Sequence, residues 1–196
     1  MSKKVKTMAS IAEASDRLIR ESGGELPTAR DLSKATGFSA ATVYFHFGSI
    51  GGVIRHLVRV RMSAFHEELE ALIAAHDPKI APRVLLDELV DRMFANALKY
   101  NPTLVRKVYK IALENSDRIT EMDASGDRLL VQIRAVIAND ETGGFKTLTN
   151  DEVVFLFRGL VAIIRSPLME RSPFFGTTPH VHLAKSYMHN MFLRTN

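Results

Sequence analysis

Residues 28–47 read TARDLSKATGFSAATVYFHF, and this stretch decides how the chain folds. Thr28 precedes Asp31 by three positions, a hydroxyl-then-acid pair that can bond the first free N–H groups of a helix. Gly37 predicts the end of that helix because glycine readily adopts left-handed dihedrals. Ser39 can then cap a second short helix. Two helices of about two turns, joined by a short turn that contains glycine, are typical of the helix-turn-helix motif.

The second helix of this motif presents a candidate DNA-reading surface. Phe38, Val43 and Phe47 are spaced to face the core, so the side chains between them point outward. In a helix-turn-helix protein this outward face enters the major groove. The DNA-binding residues that this arrangement predicts, counting the cap of the first helix, are Thr28, Ser39, Ala40, Ala41, Thr42, Tyr44, Phe45 and His46.

The residue types on this surface predict few hydrogen bonds to bases. Ala40 and Ala41 let the backbone approach the groove, and Thr42 offers a methyl group to the methyl of thymine. Phe45 can contact a base methyl or a ribose, or can instead pack under the N-terminal arm. The hydroxyl and imidazole side chains suit phosphates, which fix register without specifying sequence. We therefore expect binding that depends strongly on DNA shape.

Upstream of the motif, the sequence predicts a support helix and a basic arm. Apolar residues recur at helical spacing over about residues 7–22, and Gly23-Gly24 ends the pattern. We expect the basic stretch 3–6 to form a mobile arm that contacts phosphates or is simply solvated. Residues 1–60 carry nine Lys and Arg against five Asp and Glu, so the whole formal surplus of +4 lies here. A surplus at this end favours binding to phosphates.

A three-helix unit that opens a chain and leads into a long helix resembles the tetracycline-repressor-type (TetR) family of regulators. The motifs Thr-x-x-Asp-Leu, Gly-Phe-Ser and Thr-Val-Tyr-x-His-Phe stand in the order and at the spacing typical of that family. The matching residues are Ile11, Glu13, Ala14, Leu18, Glu21, Gly23, Thr28, Arg30, Asp31, Leu32, Gly37, Phe38, Ser39, Thr42, Val43, Tyr44, His46 and Phe47. The resemblance implies a homodimeric, cytoplasmic transcriptional regulator, most often a repressor released from double-stranded operator DNA by a small molecule.

Three positions depart from the pattern of the family. Relatives often carry a basic or amide side chain where this chain has Ala40 and Phe45, and a phosphate-binding lysine where it has Ile50. The backbone N–H groups of Gly51 and Gly52, at the start of the next helix, could replace part of that lysine's contact.

The rest of the chain predicts helices throughout. A long helix over about residues 49–75 is followed by helices that open at Pro82 and Pro102, and then by helices over about residues 116–137, 151–165 and 179–193. The predicted fold is all-α, with a three-helix DNA-binding domain in residues 1–50. A larger helical domain for effector binding and dimerisation occupies residues 51–196, and helix 51–75 links the two.

The later helices carry the predicted dimer interface and effector pocket. The helix over residues 151–165 is apolar on more than one face, which predicts a dimer bundle with the last helix or, alternatively, a buried central helix of a monomer. The resemblance implies a small, largely apolar effector between the middle helices. Its candidate contacts, each of which could instead be core, are Phe65, Met93, Phe94, Tyr109 and Phe157.

The sequence predicts no catalytic residue, metal or cofactor. It contains no cysteine, no Gly-rich phosphate loop, no Gly-x-Ser-x-Gly elbow and no HExxH. The histidines at 46, 56, 66 and 76 cannot share a helix face at a spacing of ten, and those at 180, 182 and 189 are weak metal candidates. Asp87 and Asp91 lie near Arg83 and Arg92, which favours solvated ion pairs over acid–base chemistry.

Two further expectations concern class and location. No run approaches the ~20 apolar residues of a membrane span, and the basic start is not followed by the apolar segment of a secretory signal. The absence of cysteine fits a reducing cytoplasm. The alternative function is a small all-α ligand-binding protein or enzyme whose N-terminal helices are purely structural.

Overall fold

The described residues of the computed structural model, 2–99, 102–113 and 120–194, form helices and loops. In these ranges Phe145 and Leu193 also form one isolated antiparallel bridge. The all-α prediction is therefore confirmed. The helices are α1 (Lys3–Glu21), α2 (Ala29–Thr36), α3 (Ala40–Phe47), α4 (Ile50–Ala74), α5 (Pro82–Leu98), α6 (Pro102–Leu113), α7 (Thr120–Asn139), α8 (Asn150–Met169) and α9 (Thr178–Phe192). The predicted start of α7 near residue 116 lies outside the described residues.

The first helix begins earlier than the sequence pattern predicts. The Ser2 hydroxyl oxygen accepts the N–H of Val5 at 3.3 Å, and the chain is helical from Lys3 onward. This serine cap offsets the unfavourable placement of lysines at the positive end of the helix dipole. The expectation of a mobile arm over residues 3–6 is therefore wrong, although the lysine side chains of this stretch are exposed.

The helix-turn-helix has the caps that its sequence predicts. The Asp31 N–H donates to the Thr28 hydroxyl oxygen at 3.2 Å, and the Thr28 N–H donates to the Asp31 carboxylate at 2.9 Å. Gly37 ends α2 with a φ of 76°, in the left-handed region that favours glycine. Ser39 caps α3 by accepting the Thr42 N–H at 3.1 Å. These local bonds hold both short helices at their first turns.

The chain divides into two compact units. The first takes in the described parts of residues 1–63 and 101–120, and the second those of residues 64–100 and 121–196. The helix α4 therefore contributes residues to both units, and α6 belongs to the first. The predicted boundary at residue 50 concerns function rather than compactness, and it stays a prediction.

Two apolar clusters form the core of the first unit. Fully buried side chains of α1, α2, α3 and α4 make one cluster, and side chains of α1, α4 and α6 make the other. The buried members are Ile11, Ala14, Leu32, Val43 and Val53 in the first cluster, and Ile19, Ile54, Leu57 and Leu104 in the second. The inward face of α3 is thus fixed by Val43, which has no exposed surface.

The start of α4 lies in backbone contact with the end of α3. A Cβ atom added at Gly52 would collide with the carbonyl group of Phe47, whose carbon lies 2.9 Å from the added atom. At Gly51 the nearest atoms would lie 3.5 Å away, which is ordinary contact. Gly48, with a φ of 72°, makes the tight turn between the two helices. The glycine at 52 is therefore required by packing, whereas the glycine at 51 is not.

The second unit has one large core built on α5, α7, α8 and α9 with the end of α4. Its fully buried members include Leu89, Leu129, Leu160 and Met188. The helices α8 and α9 approach closely at Gly159, where a Cβ atom would collide with the Tyr187 hydroxyl. That hydroxyl donates to the carbonyl of Leu156 at 3.0 Å, and burial raises the pKa of Tyr187.

The helix α8 extends past its predicted end at residue 165 and includes Pro167. Proline has no N–H, so the carbonyl four residues earlier, that of Ile163, loses its helical donor. The buried imidazole of His180 replaces it, with Nε2 lying 2.9 Å from the Ile163 oxygen. The Gly176 N–H donates to the other ring nitrogen at 3.1 Å, so Nε2 carries the proton. A side chain from α9 thus supports a proline inside α8.

Asp87 and Asp91 of α5 have partners on another helix, and not the arginines of α5 that helix spacing suggests. Asp91 accepts a hydrogen bond from Lys185 at 2.8 Å, and Asp87 lies 2.8 Å from Nε2 of His189. Arg92 pairs with Glu68 on α4, also at 2.8 Å. The prediction of ion pairs is confirmed for Asp91, but the expected partners are wrong, because α9 packs along α5 and supplies Lys185 to Asp91 and His189 to Asp87.

Candidate nucleic-acid interface

The side of α3 opposite Val43 is open to solvent. Phe45 is 83% exposed and Tyr44 49%, which makes Phe45 the most exposed large apolar side chain in the described ranges. Ala41 is exposed, and Ala40, Thr42 and His46 are half-buried. The structure therefore exposes Ala41, Tyr44 and Phe45 and leaves Ala40, Thr42 and His46 half-buried, with none of these residues in the core.

The two hydroxyl groups at the start of α3 bond to each other. The Ser39 and Thr42 side-chain oxygens lie 2.9 Å apart, and the Ser39 oxygen also accepts the Thr42 N–H. One of the two hydroxyl protons is therefore used within the helix. Besides its hydroxyl, Thr42 has a methyl group that can contact a partner.

The cap of α2 engages the hydroxyl that the sequence assigns to phosphate. The Thr28 hydroxyl donates to the Asp31 carboxylate at 2.6 Å. The hydrogen bonds from Thr28, its hydroxyl first and its backbone N–H second, hold the pKa of Asp31 below its ordinary value. Thr28 is exposed, but its donor is directed along the protein rather than outward.

His46 offers only part of its ring to a partner. Its Nδ1 atom is buried and has no hydrogen-bond partner among the described residues. Its ring meets the ring of Phe45 edge to face, with centroids 5.2 Å apart. The imidazole therefore supports the position of Phe45 as well as facing the surface.

The start of α4 offers less to phosphate than two free glycine N–H groups would. Ser49 accepts the N–H of Gly52 at 3.0 Å, so that glycine's donor is already used. The expectation that both glycines could bind phosphate is wrong for Gly52 and leaves Gly51 as the candidate. Ile50, in the position of the family's lysine, is half-buried and packs against the core of the first unit.

The acidic groups of the first unit are largely neutralised by internal partners. Asp16 is paired with Arg20 at 2.8 Å and also with Arg61, and Glu25 is paired with Lys107 at 2.8 Å. Of the exposed cations of α1 and α2, Arg17 and Arg20 are paired with Glu21 and Asp16, and the others are Lys3, Lys4, Lys6, Arg30 and Lys34. Sequence reasoning left Arg30 and Lys34 out of the site, although their charge on a solvent-facing helix beside the reader was the available signal.

The candidate effector residues divide between the units. Phe94 is a core member of the second unit, and Phe65, Met93 and Phe157 are partly buried against that core. Tyr109 belongs to α6 in the first unit, and its side chain lies outside the described residues. The four described side chains therefore share one apolar core.

A separate cavity of about 300 Å³ lies in the second unit, between the ends of α4 and α7. Its walls include Ile73, His76, Gln132, Asn139 and Asp140, and none of the candidate effector residues. The Oε1 atom of Gln132 is buried without a hydrogen-bond partner in the described structure. The cavity is therefore of mixed polarity rather than apolar.

The histidines of α9 have three different environments. His180 is buried between Ile163 and Gly176, His189 contacts Asp87 and Arg83, and His182 is exposed. Within the described part of the chain, no three His, Cys, Asp or Glu side chains are grouped to hold a metal ion. No helix described in the structure is long and apolar enough to span a bilayer.

Solved structures carry the comparison with known proteins, since no family model and no curated protein matches the chain. A candidate TetR-family transcriptional regulator from Mesorhizobium loti aligns with a TM-score of 0.67 at 16% identity, over 99% of this chain and all of that one. A TetR-family transcriptional regulator from Pseudomonas syringae aligns with a TM-score of 0.59 at 17% identity, over 100% of both chains. One from Thermus thermophilus aligns with a TM-score of 0.54 at 22% identity, over 92% of this chain and 96% of that one.

These likenesses define the class of fold. The chain is an all-α protein with an N-terminal helix-turn-helix followed by further helices. More particularly, it has the fold of TetR-family transcriptional regulators, and the alignments span nearly its whole length. The resemblance read from the first 60 residues is thus confirmed for the fold, including the helices beyond residue 75 where the motifs give no guidance.

Proposed function

We propose that this protein is a cytoplasmic, homodimeric DNA-binding transcriptional regulator, acting as a repressor that a small, largely apolar effector releases from a palindromic operator. The observation that carries the proposal is the solvent-exposed outer face of α3, held by capped helix ends in a fold shared with transcriptional regulators. In this proposal residues 1–50 read DNA, and residues 51–196 bind the effector and form the dimer.

The proposed DNA contacts divide by chemistry. The outer face of α3 enters the major groove, and the predicted contacts there are Ser39, Ala40, Ala41, Thr42, Tyr44, Phe45 and His46. The exposed cations Arg30 and Lys34, with the lysines of residues 3–6, supply phosphate contacts beside it. Thr28 joins them only if its hydroxyl turns away from Asp31.

The proposed dimer forms through α8 and α9. These helices expose Phe155 (76%), Leu183 (52%) and Met191 (40%), which is more apolar surface than a solvated pair of helices needs. A twofold dimer would present two copies of α3 to half-sites about 34–36 Å apart. Because the second half-site binds as an intramolecular event, dimerisation should raise operator affinity by about 10²–10⁴.

The proposed effector acts through a difference in affinity between two states. A 100-fold release from DNA requires about 2.7 kcal/mol of coupling. The helix α4 has residues in both compact units and is one covalent path for that coupling. The candidate contacts remain Phe65, Met93, Phe94, Tyr109 and Phe157, and their apolar character favours an apolar effector.

DNA binding is tested by a salt series on DNA selected by the protein from a random pool. The wild type should bind it specifically and lose affinity as salt rises. Thr42→Asp, which places a carboxylate against the groove, should lower affinity at least about 100-fold. The matched control is Thr147→Asp, the same change at an exposed threonine of the second unit, which should bind like the wild type.

Two results would contradict the proposal. Equal affinity for selected and random DNA would mean that the protein does not recognise a DNA sequence. An unaffected Thr42→Asp variant would mean that α3 does not contact the DNA. The first result would favour the alternative of a small all-α ligand-binding protein or enzyme with structural N-terminal helices, and the second would assign the DNA contact to another surface.

The dimer interface is tested by sedimentation of Phe155→Asp. A carboxylate at this position should convert the dimer to a monomer, because it would be buried without a partner. Val131→Asp is the control, since Val131 is also highly exposed (58%) but lies on α7. If both variants stay dimeric, the interface does not involve α8 at Phe155.

A further inference from the structure

The recognition helix lacks the side chains that normally read base edges by hydrogen bonds. Guanine is usually read by arginine or lysine, and adenine by asparagine or glutamine, each through two bonds to one base. From Ser39 to Gly52 the sequence contains none of these four residue types, and no aspartate or glutamate that could read cytosine. A protein that uses this helix must obtain its sequence preference from other contacts.

Part of the polar surface of α3 is engaged or turned inward, whereas Tyr44, which carries a hydroxyl, is 49% exposed. The hydroxyls of Ser39 and Thr42 bond to each other at 2.9 Å. The Nδ1 atom of His46 is buried. The other outward groups are the methyls of Ala41 and Thr42, the side chain of Tyr44 with its hydroxyl, and the ring of Phe45, which is the most exposed of them.

The major groove contains one apolar group, the 5-methyl of thymine. Phe45 leaves 83% of its surface in water, which is unfavourable unless a partner covers it. The cations that flank α3, Arg30 and Lys34, and the absence of any acid within the helix fit the phosphate-lined groove as that partner. The pairing of an apolar helix face with the apolar group of the groove is therefore complementary in both charge and polarity.

We infer that each operator half-site is recognised through the 5-methyl groups of thymines, packed against Phe45 and the methyl groups of Ala41 and Thr42. This inference rests on the proposed function. Phe45 is the main specificity-determining residue, and the half-sites contain A·T pairs at the positions that α3 covers.

The test replaces thymine by uracil, which removes the methyl group and leaves every hydrogen-bonding group of the base unchanged. The probe is a synthetic duplex of the sequence that the protein selects from a random pool, with deoxyuridine at chosen thymines. Each lost contact should weaken wild-type binding about fourfold, or about fifteenfold when one thymine in each half-site is replaced. Uracil outside the half-sites should change nothing.

The protein side of the test uses two alanine variants. Phe45→Ala should bind the thymine probe more weakly than the wild type does and should lose most of its preference for thymine over uracil. Val60→Ala, at a half-exposed valine of α4, should keep the wild-type preference. The loss of preference, rather than the loss of affinity, assigns the contact to Phe45.

The outcomes separate the inference from the proposed function. If the wild type binds its selected sequence specifically but binds thymine and uracil duplexes equally, or if the selected half-sites contain no thymine, methyl recognition is wrong and the DNA-binding function stands. If no sequence is selected over random DNA, the proposed function fails and the inference fails with it.

Discussion

The helix ends of the helix-turn-helix (α2 and α3) are stabilised by local hydrogen bonds, whereas the joint between α8 and α9, at Pro167 and His180, is stabilised by a long-range one. In the reader, Thr28 and Asp31 bond each other across three residues, and Ser39 caps the next helix in the same way. At the α8–α9 joint, Pro167 removes a helical donor and His180 supplies it from another helix. The first region is stabilised locally, whereas the second depends on a bond across 17 residues.

The two regions should differ in how much stability a single substitution removes. A locally capped helix loses only bonds within its own first turn when its cap is removed, and the rest of the motif persists. A buried long-range bond leaves unpaired groups on both elements when it is broken, which costs far more free energy. We therefore expect the α8–α9 joint to be the more sensitive to single substitutions.

The largest predicted effect is at the joint. His180→Leu should lower the free energy of unfolding by about 1–3 kcal/mol, because the part-buried Ile163 carbonyl and Gly176 N–H would lose their hydrogen-bond partner. Pro167→Ala restores an N–H for Ile163, so the double variant should be more stable than His180→Leu alone. Chemical denaturation of the four proteins measures this coupling. Additive effects of the two substitutions would contradict the proposed pairing.

A second prediction compares adjacent glycines at the start of α4. Gly52→Ala should cost about 1–3 kcal/mol, because its Cβ would collide with the backbone of Phe47 and force α3 and α4 apart. It should also weaken DNA binding by displacing α3. Gly51→Ala should be neutral or slightly stabilising, since the added Cβ has room and alanine favours helix.

Thermal unfolding and DNA titration of both glycine variants check this prediction. Equal stability and equal DNA affinity would mean that the contact between α3 and α4 is not rigid. The position of α3 would then not depend on its packing against α4.

The smallest predicted effect is on the stability of the fold at low pH. The helices α2 and α8 begin with matched capping boxes, Thr28 with Asp31 and Thr149 with Glu152. Hydrogen bonds from the capping threonines lower the pKa of both acids, with the backbone bond from Thr149 as the main cause for Glu152. Because the folded pKa lies below the unfolded one, this stabilisation is present above about pH 4 and is lost as pH falls through the folded value.

Stability measured against pH for Asp31→Asn and Glu152→Gln checks the capping boxes. Each variant should unfold with a slightly shallower dependence on pH below about 4 than the wild type. The effects should be small and similar, because both caps are exposed. A much larger effect at Glu152 than at Asp31 would mean that α8 relies on its cap more than α2 does.

The same contrast explains how much of the molecule its sequence predicts. The caps at Thr28 and Ser39 and the helix starts at Pro82 and Pro102 follow from residues a few positions apart, and the structure has them where expected. The true end of α8 depends on His180, which no local pattern connects to Pro167. Long-range packing decides what short-range spacing cannot.

The candidate site follows the same rule. The exposure of Ala41, Tyr44 and Phe45 could be predicted because helical periodicity turns them away from Val43, whereas Ala40 and His46, three residues before and after Val43, are half-buried. The pairing of Ser39 with Thr42 and the buried Nδ1 of His46 could not, since they depend on rotamers and on neighbouring helices. The helical form of residues 3–6 was also hidden, because lysines at a helix start argue against the helix that Ser2 caps.

The most direct test of the central proposal is selection of bound sequences from a random pool of duplex DNA by the full-length protein. The account predicts enrichment of an inverted repeat whose half-sites lie about one helical turn apart, with affinity about 10³-fold or more above random DNA. Failure to enrich any sequence, or enrichment of a site that Thr42→Asp binds as well as the wild type does, would contradict it.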